Sequence, residues 1–405
     1  MVDVTFDIAI VGGGVIGLAT AHQILKRQPG LQVVVLEKES AVATHASTRN
    51  SGVLHAGFYY SPDSMKASLT AKGNKMLREF CHENGVPVLA CGKVVLALDS
   101  AQEAALSELH RRGIANWVDV RLIDRAELAR LEPLAARAEV ALWSPNTAVA
   151  DPKLVAEALL TQVKARGARV QVGCKVQAVD FLASGVVLGL SGGGVVQAKH
   201  VINCAGLYAD KLAHQFGVGL EYAVLPFRGL YVYGDWPKGR LQRHVYPVPD
   251  ARNPFLGVHA TVTANGGVKI GPTAIPGFWR EHYRGVGGWS PHELAEVAKL
   301  LPKFFASDPK MTAGLLASEA PKVMKRSIVQ AAAKLVPSVN TQDFKRWGPA
   351  GVRAQLVHRD SGKLEMDFIV REGESSTHVL NAVSPAWTSS FAVGDYVTEK
   401  VLSRL

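Results

Sequence analysis

Asp7-Ile8-Ala9-Ile10-Val11-Gly12-Gly13-Gly14-Val15-Ile16-Gly17 carries an apolar run into a Gly-x-Gly-x-x-Gly turn, and Leu31 to Leu36 followed by Glu37 returns to strand. The stretch from Leu18 to Arg27 has helical character, so strand, glycines, helix, strand and acid fall in the register of a dinucleotide-binding βαβ unit. Gly12 allows the tight turn, Gly14 lets the backbone approach a pyrophosphate, and Gly17 lets the helix lie close on the strand. The helix start offers unpaired N–H groups and partial positive charge to phosphates. Glu37, about twenty residues past the glycines, stands where a carboxylate accepts the ribose hydroxyls. The simpler alternative is a βα turn whose glycines serve packing alone.

Working outward, the 405 residues exceed one ordinary domain and nearly half are hydrophobic, which is enough for a large core. No apolar run approaches the roughly twenty residues of a membrane span. The first strand begins at Val4 with no basic leader before it, so a cytoplasmic location is expected. Cys81, Cys91, Cys174 and Cys204 are scattered without Cys-x-x-Cys spacing, and they predict reduced thiols, no disulfide framework and no metal site. The formal net charge of +10 is dispersed. Without a basic tract carrying interleaved aromatics, nucleic acid is not the expected partner, whereas an acidic small molecule needs only two or three of these cations.

The polar loop from Lys38 to Pro62 is too long for a bare connection and is expected to be functional. Ser64 to Glu83 reads as a helix stopped by Gly85, and Val86 to Leu98 as strand. Asp124 and Glu127 form a capping-box variant opening a short helix that Pro133 ends, and Asp151-Pro152 opens another closed by Gly167. Ala168 to Asp180 reads as one strand, Val186 to Leu190 with Val195 to Ala198 as a hairpin, and His200 to Cys204 as a return to the nucleotide domain. Glu221 to Ile270 is β-rich, Ser290 to Val336 helical, and Phe344 to Ala354 and Thr377 to Asn381 strand-like.

Three further stretches carry potential chemistry. Thr44 to Tyr60 combines small hydroxyl residues and glycines, which allow close approach to a ring system, with donors at Arg49 and Asn50 and a titratable His55. Asn203-Cys204-Ala205-Gly206 follows a strand, where Gly206 permits backbone approach to a nucleotide. Asn381 to Gly394 reads as a loop entering the last helix. A helix start at Thr388 to Ser390 would aim N–H dipoles at an electron-poor ring and stabilise negative charge there, which suits a flavin better than a nicotinamide.

Joined to the N-terminal unit, these pieces resemble the FAD-dependent oxidoreductases of the D-amino-acid-oxidase type, most closely the L-2-hydroxyglutarate dehydrogenases and oxidases. The matching motifs are Ser47 to Tyr60, Pro226-Phe227-Arg228-Gly229-Leu230-Tyr231, Val245 to Asp250, Pro254-Phe255-Leu256-Gly257-Val258-His259, Gly271 to Ala274, Gly348 to Gln355, and Ser384-Pro385-Ala386-Trp387-Thr388-Ser389-Ser390. They span nearly the whole chain. The resemblance implies an α/β fold, α+β overall, with a Rossmann-like FAD-binding domain (1–87, 145–218 and 346–405) and a β-rich substrate domain (88–144 and 219–345).

It also implies FAD contacts in four groups: Gly12, Gly14, Val15, Ile16 and Gly17; Glu37 and Lys38; Ser47, Thr48, Arg49, Asn50 and Ser51; and, later in the chain, Val176, Ala205, Gly206, Gly351, Arg353, Pro385, Thr388, Ser389 and Ser390. The implied reaction is hydride transfer from Cα of L-2-hydroxyglutarate to flavin N5, giving 2-oxoglutarate. Electrons then pass to oxygen or a quinone. Arg228 and Arg353 are the candidates for neutralising the two carboxylates, since a guanidinium binds a carboxylate bidentately. The alternative for each arginine is an exposed or fold-stabilising ion pair. His259 is assigned as base and His55 as positioning substrate or flavin, with the reverse assignment open. Tyr59, Tyr231 and Tyr246 are candidate hydrogen-bond donors to substrate. The amine-oxidising relatives leave a glycine- or sarcosine-oxidase-like activity as the nearest alternative, with a flavin-dependent RNA-modifying enzyme or a lipid-surface module more distant.

Two positions depart from the family pattern: Leu230 where an acidic residue is expected, and Trp387 where a smaller one is usual. Within Ser290 to Val336, Leu294, Val297, Leu301, Phe304, Met324, Ile328 and Leu335 recur near helical spacing, and Lys322, Lys325, Arg326 and Lys334 add cations. That pattern raises peripheral contact with an anionic membrane surface. The alternative is that the apolar residues cover the protein's own core, with Pro302 interrupting the first helix.

Overall fold

The computed structural model describes residues 5–250 and 253–405. Its nucleotide sheet begins with β1 (Thr5–Val11), which the helix α1 (Val15–Arg27) connects to a parallel β2 (Val33–Leu36). On the other side of β1 lies the parallel strand Val195–Asn203, and Ser376–Asn381 runs parallel to its far half. The sheet is completed by Arg169–Gln171 beside β2, by the antiparallel strands Val176–Leu182 and Gly185–Leu190, and by Ile369–Glu372. Ile8 and Ile10 pack toward α1, Pro152–Ala165, Met65–Glu83 and Ser390–Leu402, while Ala9 and Val11 pack on the other face with Val34 and Leu36. The glycine turn works sterically as expected: a Cβ on Gly17 would lie 2.0 Å from the Gly12 carbonyl oxygen.

Two further sheets stand over this layer. In the larger, the strands run Phe344–Trp347, Val232–Gly234, Val268–Gly271, His259–Val262, His244–Pro247, Lys93–Leu96, Val140–Ser144 and Arg121–Asp124. The smaller pairs Tyr222–Gly229 with both Ile275–Pro276 and Gly351–His358. A three-stranded piece, Val53–Leu54, Ala148–Ala150 and Val88–Leu89, joins the long loop after β2 to the region ahead of Pro152.

The caps read from sequence at Asp124 and Asp151 form, and Ser64 adds a third. Ser64, Asp124 and Asp151 accept N–H bonds at the starts of Met65–Glu83, Arg125–Leu131 and Pro152–Ala165. Several elements differ from expectation. Ala168 to Asp180 is two strands on opposite edges of the nucleotide sheet, because the chain turns through Val172 to Lys175 and crosses between them. Phe344 to Ala354 is likewise two strands in different sheets. A helix at Ser100–Ala115, capped by Asp99, adds to the reading. Pro302 does not interrupt its helix, which runs Pro291–Ser307 through it. The last helix begins at Ser390, so Thr388 belongs to the preceding loop.

Candidate active site

Because β1, β2, Val195–Asn203 and Ser376–Asn381 are mutually parallel, their carboxyl ends open on one edge, where ligands of doubly wound sheets bind. A cavity of about 640 Å³ starts there and extends under the larger sheet. At the nucleotide end its wall includes Gly12, Gly14, Val15, Ile16, Glu37 and Lys38, with Val176, Ala205 and Gly206 alongside. Glu37 is fixed: Oε2 accepts the Gly13 N–H at 2.9 Å and Oε1 the Glu39 N–H at 2.9 Å. The N–H of Val15 is capped from thirty-two residues away, by the Ser47 hydroxyl at 2.9 Å.

The loop after β2 folds on itself before it meets a ligand. Asn50 spends its amide on the Ala46 and Ser47 carbonyls and the Gly52 N–H, and Thr48 donates to the Ala43 carbonyl at 2.7 Å. Arg49 donates to the Thr44 carbonyl and lies over the Tyr283 ring. Ser47, Arg49, Asn50 and Ser51 line the cavity, as do Gly351, Arg353, Pro385 and Thr388. Gly351 is required by contact, since a Cβ there would lie 2.3 Å from the Arg49 carbonyl oxygen. Thr388 donates to the Val53 carbonyl at 3.0 Å and accepts the His55 N–H at 3.1 Å, so it staples the C-terminal loop to the His55 segment. Gly17, Thr48, Ser389 and Ser390 do not reach the cavity wall. Gly17 is spent on helix packing, and both serines sit fully buried at the start of the last helix.

At the far end His55, Tyr231, Tyr246, Leu256, His259 and Arg353 come together. His259 Nδ1 lies 2.8 Å from the Gly257 carbonyl oxygen, and a carbonyl only accepts, so Nδ1 carries the proton and Nε2 is a bare acceptor. Its ring stacks on Tyr246 at 3.7 Å between centroids. Burial drives His259 down to about 3, with Lys93 and Lys269 adding to the effect and the Gly257 bond opposing it. His55 is held well below its ordinary value, by burial first and then by Lys93 and its neighbouring histidines. Both imidazoles are therefore neutral at pH 7.

Arg353 is enclosed at the cavity, its guanidinium 4.7 Å from the Phe255 ring, and no carboxylate pairs with it among the described residues. Arg228 is different. It pairs with Val352 while Phe227 pairs with Arg353, so strand alternation sends Phe227 and Arg353 to one face and Arg228 to the other. It is half-buried, does not line the cavity, and its Nε has no partner. Tyr59 also stands behind the wall, packed on Phe58 with its hydroxyl unpartnered. Of the two departures from the family pattern, Leu230 does not line the cavity, whereas Trp387 does, with its buried indole N–H unpartnered.

Sequence reasoning missed several residues here. Lys93 is fully buried, with Nζ 3.3 Å from His55 Nδ1, and Lys269 donates to the Asn50 carbonyl at 3.2 Å. Burial lowers Lys93 to about 7 and Lys269 to about 8. The available signal was a lysine opening the apolar run Lys93-Val94-Val95-Leu96. Around the nucleotide end, Glu281 pairs with Lys38 at 2.7 Å and accepts the Tyr208 hydroxyl at 2.8 Å, and Tyr283 meets His45 at 2.9 Å. Glu39, His45 and Glu281 bring ligand atoms within 4.8 Å of one another, but Lys38 already lies on both carboxylates.

The wall chemistry fits FAD. A fixed carboxylate stands at the end of β2, a helix start follows the glycines, and the cavity continues past them to a pair of neutral imidazoles and an unpaired guanidinium. The chain belongs to the family described as DAO, FAD dependent oxidoreductase, whose model matches residues 7–400. Within that family it is similar over its whole length to L-2-hydroxyglutarate dehydrogenases. It is 38% identical to that of Indibacter alkaliphilus, over 98% of this chain and 99% of that protein. With the human mitochondrial L-2-hydroxyglutarate dehydrogenase it shares 33% identity over 99% of this chain and 89% of that one. Among solved structures, the FAD-bound L-alpha-glycerophosphate oxidase of Mycoplasma pneumoniae superposes with a TM-score of 0.78 at 23% identity, covering 99% and 95% of the two chains. Glycine oxidase from Geobacillus kaustophilus does so with a TM-score of 0.75 at 21% identity, with the same coverage. At such identities the likeness concerns the fold.

The stretch from Ser290 to Val336 forms three α-helices and a short 3-10 turn. Val297, Phe304, Ile328 and Leu335 are buried in the protein's own cores, and Leu301 packs against them. Lys322 is buried on Glu319, and Lys325 donates to the Lys345 carbonyl. Leu294, Leu316, Val323 and Met324 remain exposed. Among the described residues no helix is long and apolar enough to cross a membrane.

Proposed function

We propose that this protein oxidises L-2-hydroxyglutarate to 2-oxoglutarate. The observation that carries the proposal is the meeting, at one end of the cofactor cavity, of a bare histidine acceptor (His259 Nε2) with an enclosed arginine that no carboxylate among the described residues pairs with. Near-full-length similarity to L-2-hydroxyglutarate dehydrogenases supports the substrate.

Arg353 binds one carboxylate of the substrate through its planar fork, which orients the carbinol carbon. His259 Nε2 accepts the hydroxyl proton, while its Nδ1–H bond to Gly257 holds the ring in the required tautomer. The second negative charge offsets the local excess of buried cations and raises the proton affinity of His259 when substrate is present. His55, tied at its backbone to Thr388, donates to the substrate oxygen. Tyr231 and Tyr246 close the pocket against water. Glu37 and the α1 start would hold FAD, which would supply the two-electron acceptor for the hydrogen leaving Cα as hydride.

The electron acceptor belongs to the oxygen or quinone class. Contact with an anionic membrane surface from a cytoplasmic location rests on exposed Leu294, Leu316, Val323 and Met324, the last two followed in sequence by Lys325 and Arg326. Product assay for 2-oxoglutarate with L-2-hydroxyglutarate, glycine and sarcosine, in air and then anaerobically with a quinone, tests the reading. Turnover of the hydroxy acid is expected, and turnover of the amines alone would overturn it. Co-sedimentation with anionic but not neutral liposomes tests the membrane contact.

A further inference from the structure

Lys93 opens a strand in which all four residues are buried, a position where a lysine is costly unless something uses its charge. Among the described residues no carboxylate pairs with it. Its ammonium lies 3.3 Å from His55 Nδ1 and 4.2 Å from the centroid of the Tyr246 ring, with the Tyr59 and Phe58 rings at 5.1 and 5.5 Å. It stands one layer behind the cavity wall, to which His55, Tyr246 and His259 belong.

We propose that Lys93 is a positioning residue for the oxidation proposed above, on which this inference rests: it holds His55 with an N–H turned to the cavity and sets, across the Tyr246 ring, the charge felt by His259. An ammonium has donors only, so His55 Nδ1 accepts and the ring proton sits on Nε2. His259 has the opposite arrangement, with Nδ1 protonated by its bond to Gly257 and Nε2 bare. The cavity is thereby given one imidazole donor and one imidazole acceptor. His259 covers one face of Tyr246 at 3.7 Å, which leaves the other face to the ammonium.

The titratable groups facing Lys93 are His55 from the loop after β2, Tyr59 beyond it, Cys91 ahead of its own strand, and His244 and Tyr246 from the neighbouring strand. His259 lies across the ring and Lys269 beyond it. None is an acid. His244 is itself tied down, with Nδ1 accepting the Val262 N–H at 3.1 Å and Nε2 3.2 Å from Cys91 Sγ. Lys93 is therefore the positive charge that acts most strongly on both cavity histidines.

The test uses FAD-loaded enzyme, wild type, Lys93→Met and Lys93→Arg. In wild-type protein labelled with 15N-histidine, with resonances assigned by His55→Gln and His259→Gln, His55 should show a bare Nδ1 and His259 a bare Nε2, without substrate. In Lys93→Met the His55 tautomer should become mixed, and the acid limb of kcat/KM should move up by about one pH unit as the repelling charge is lost. Turnover should fall about tenfold to a hundredfold with little change in KM or FAD content, while the melting temperature holds or rises as a buried unpaired charge is removed. Lys93→Arg, which keeps the charge, should leave the acid limb in place. A His55 proton on Nδ1 in wild type overturns the proposal even if Lys93→Met fails to fold. So does a Lys93→Met pH profile superimposable on wild type. Failure of wild type to oxidise L-2-hydroxyglutarate would refute the substrate reading alone, because the tautomer measurement needs no substrate.

Discussion

Replacing Arg353 by methionine separates two quantities that usually move together. The side chain is enclosed beside Phe255 and Tyr231, and nothing among the described residues pairs with its charge. A bound carboxylate would supply two charge-assisted hydrogen bonds of about 1.5–3 kcal/mol each. Their loss predicts that Arg353→Met lowers kcat/KM for L-2-hydroxyglutarate by about 10²–10⁴. The same substitution removes from the free protein a half-buried cation that no carboxylate among the described residues pairs with, so the melting temperature should rise, by an increment corresponding to about 1 kcal/mol. Arg353→Lys keeps the charge but loses the fork and should fall between. Steady-state kinetics with a dye acceptor and calorimetry of the holoenzyme measure both sides. A kcat/KM within about threefold of wild type, or a lower melting temperature, would refute the assignment of Arg353 as a cation awaiting its substrate.

Glu37→Ala removes an acceptor fixed by two backbone N–H bonds and should weaken FAD binding about tenfold or more, read from flavin fluorescence; an unchanged dissociation constant removes Glu37 from the site. His22, His200 and His378 are each lowered to about 4, burial being the first cause, whereas unfolded histidines titrate near 6.5. Between those values the unfolded chain binds more protons, so their contribution is full above about pH 6.5 and declines as pH falls toward 4. The melting temperature should drop between pH 7 and pH 5, and a flat profile would contradict this. Trp117 is 96% exposed at φ +57, so Trp117→Asn should stabilise by about 0.5–1 kcal/mol in denaturant titration; destabilisation would point to a contact for that ring.

What was legible in the sequence was what local physics determines. The glycines of the first turn have a steric reason visible in their spacing, and Ser64, Asp124 and Asp151 cap helices through bonds that span two or three residues. Asp99 with Gln102 carries the same kind of signal for the helix Ser100–Ala115. Strand continuity was less legible. The apolar run from Ala168 to Asp180 looks unbroken, yet the chain changes sheet edges at its middle, a choice made by pairing with β2 on one side and Gly185–Leu190 on the other. The same limit applies to the site. His55, His259, Tyr231, Tyr246 and Arg353 were chosen by motif and converge on the cavity. Arg228 could not be told from Arg353 until the pairing of Phe227 with Arg353 set which faces inward. Lys93 has meaning only through a histidine thirty-eight residues earlier and a tyrosine far later in the chain.

The nucleotide sheet is stitched from both ends of the chain: β1 and β2 wait for Val195–Asn203, which waits for Ser376–Asn381, and Pro385 to Thr388 complete the cavity wall. A ribosome adding about 5–20 residues per second needs roughly 20 to 70 s to travel from Glu37 to Thr388. For that interval the glycine turn and its acid are made but have no pocket to belong to. Cofactor capture is therefore an event of the finished polypeptide rather than of the emerging one. A scarcity of flavin would be felt as a pool of completed, unclosed molecules competing for chaperones, not as a stall partway through folding.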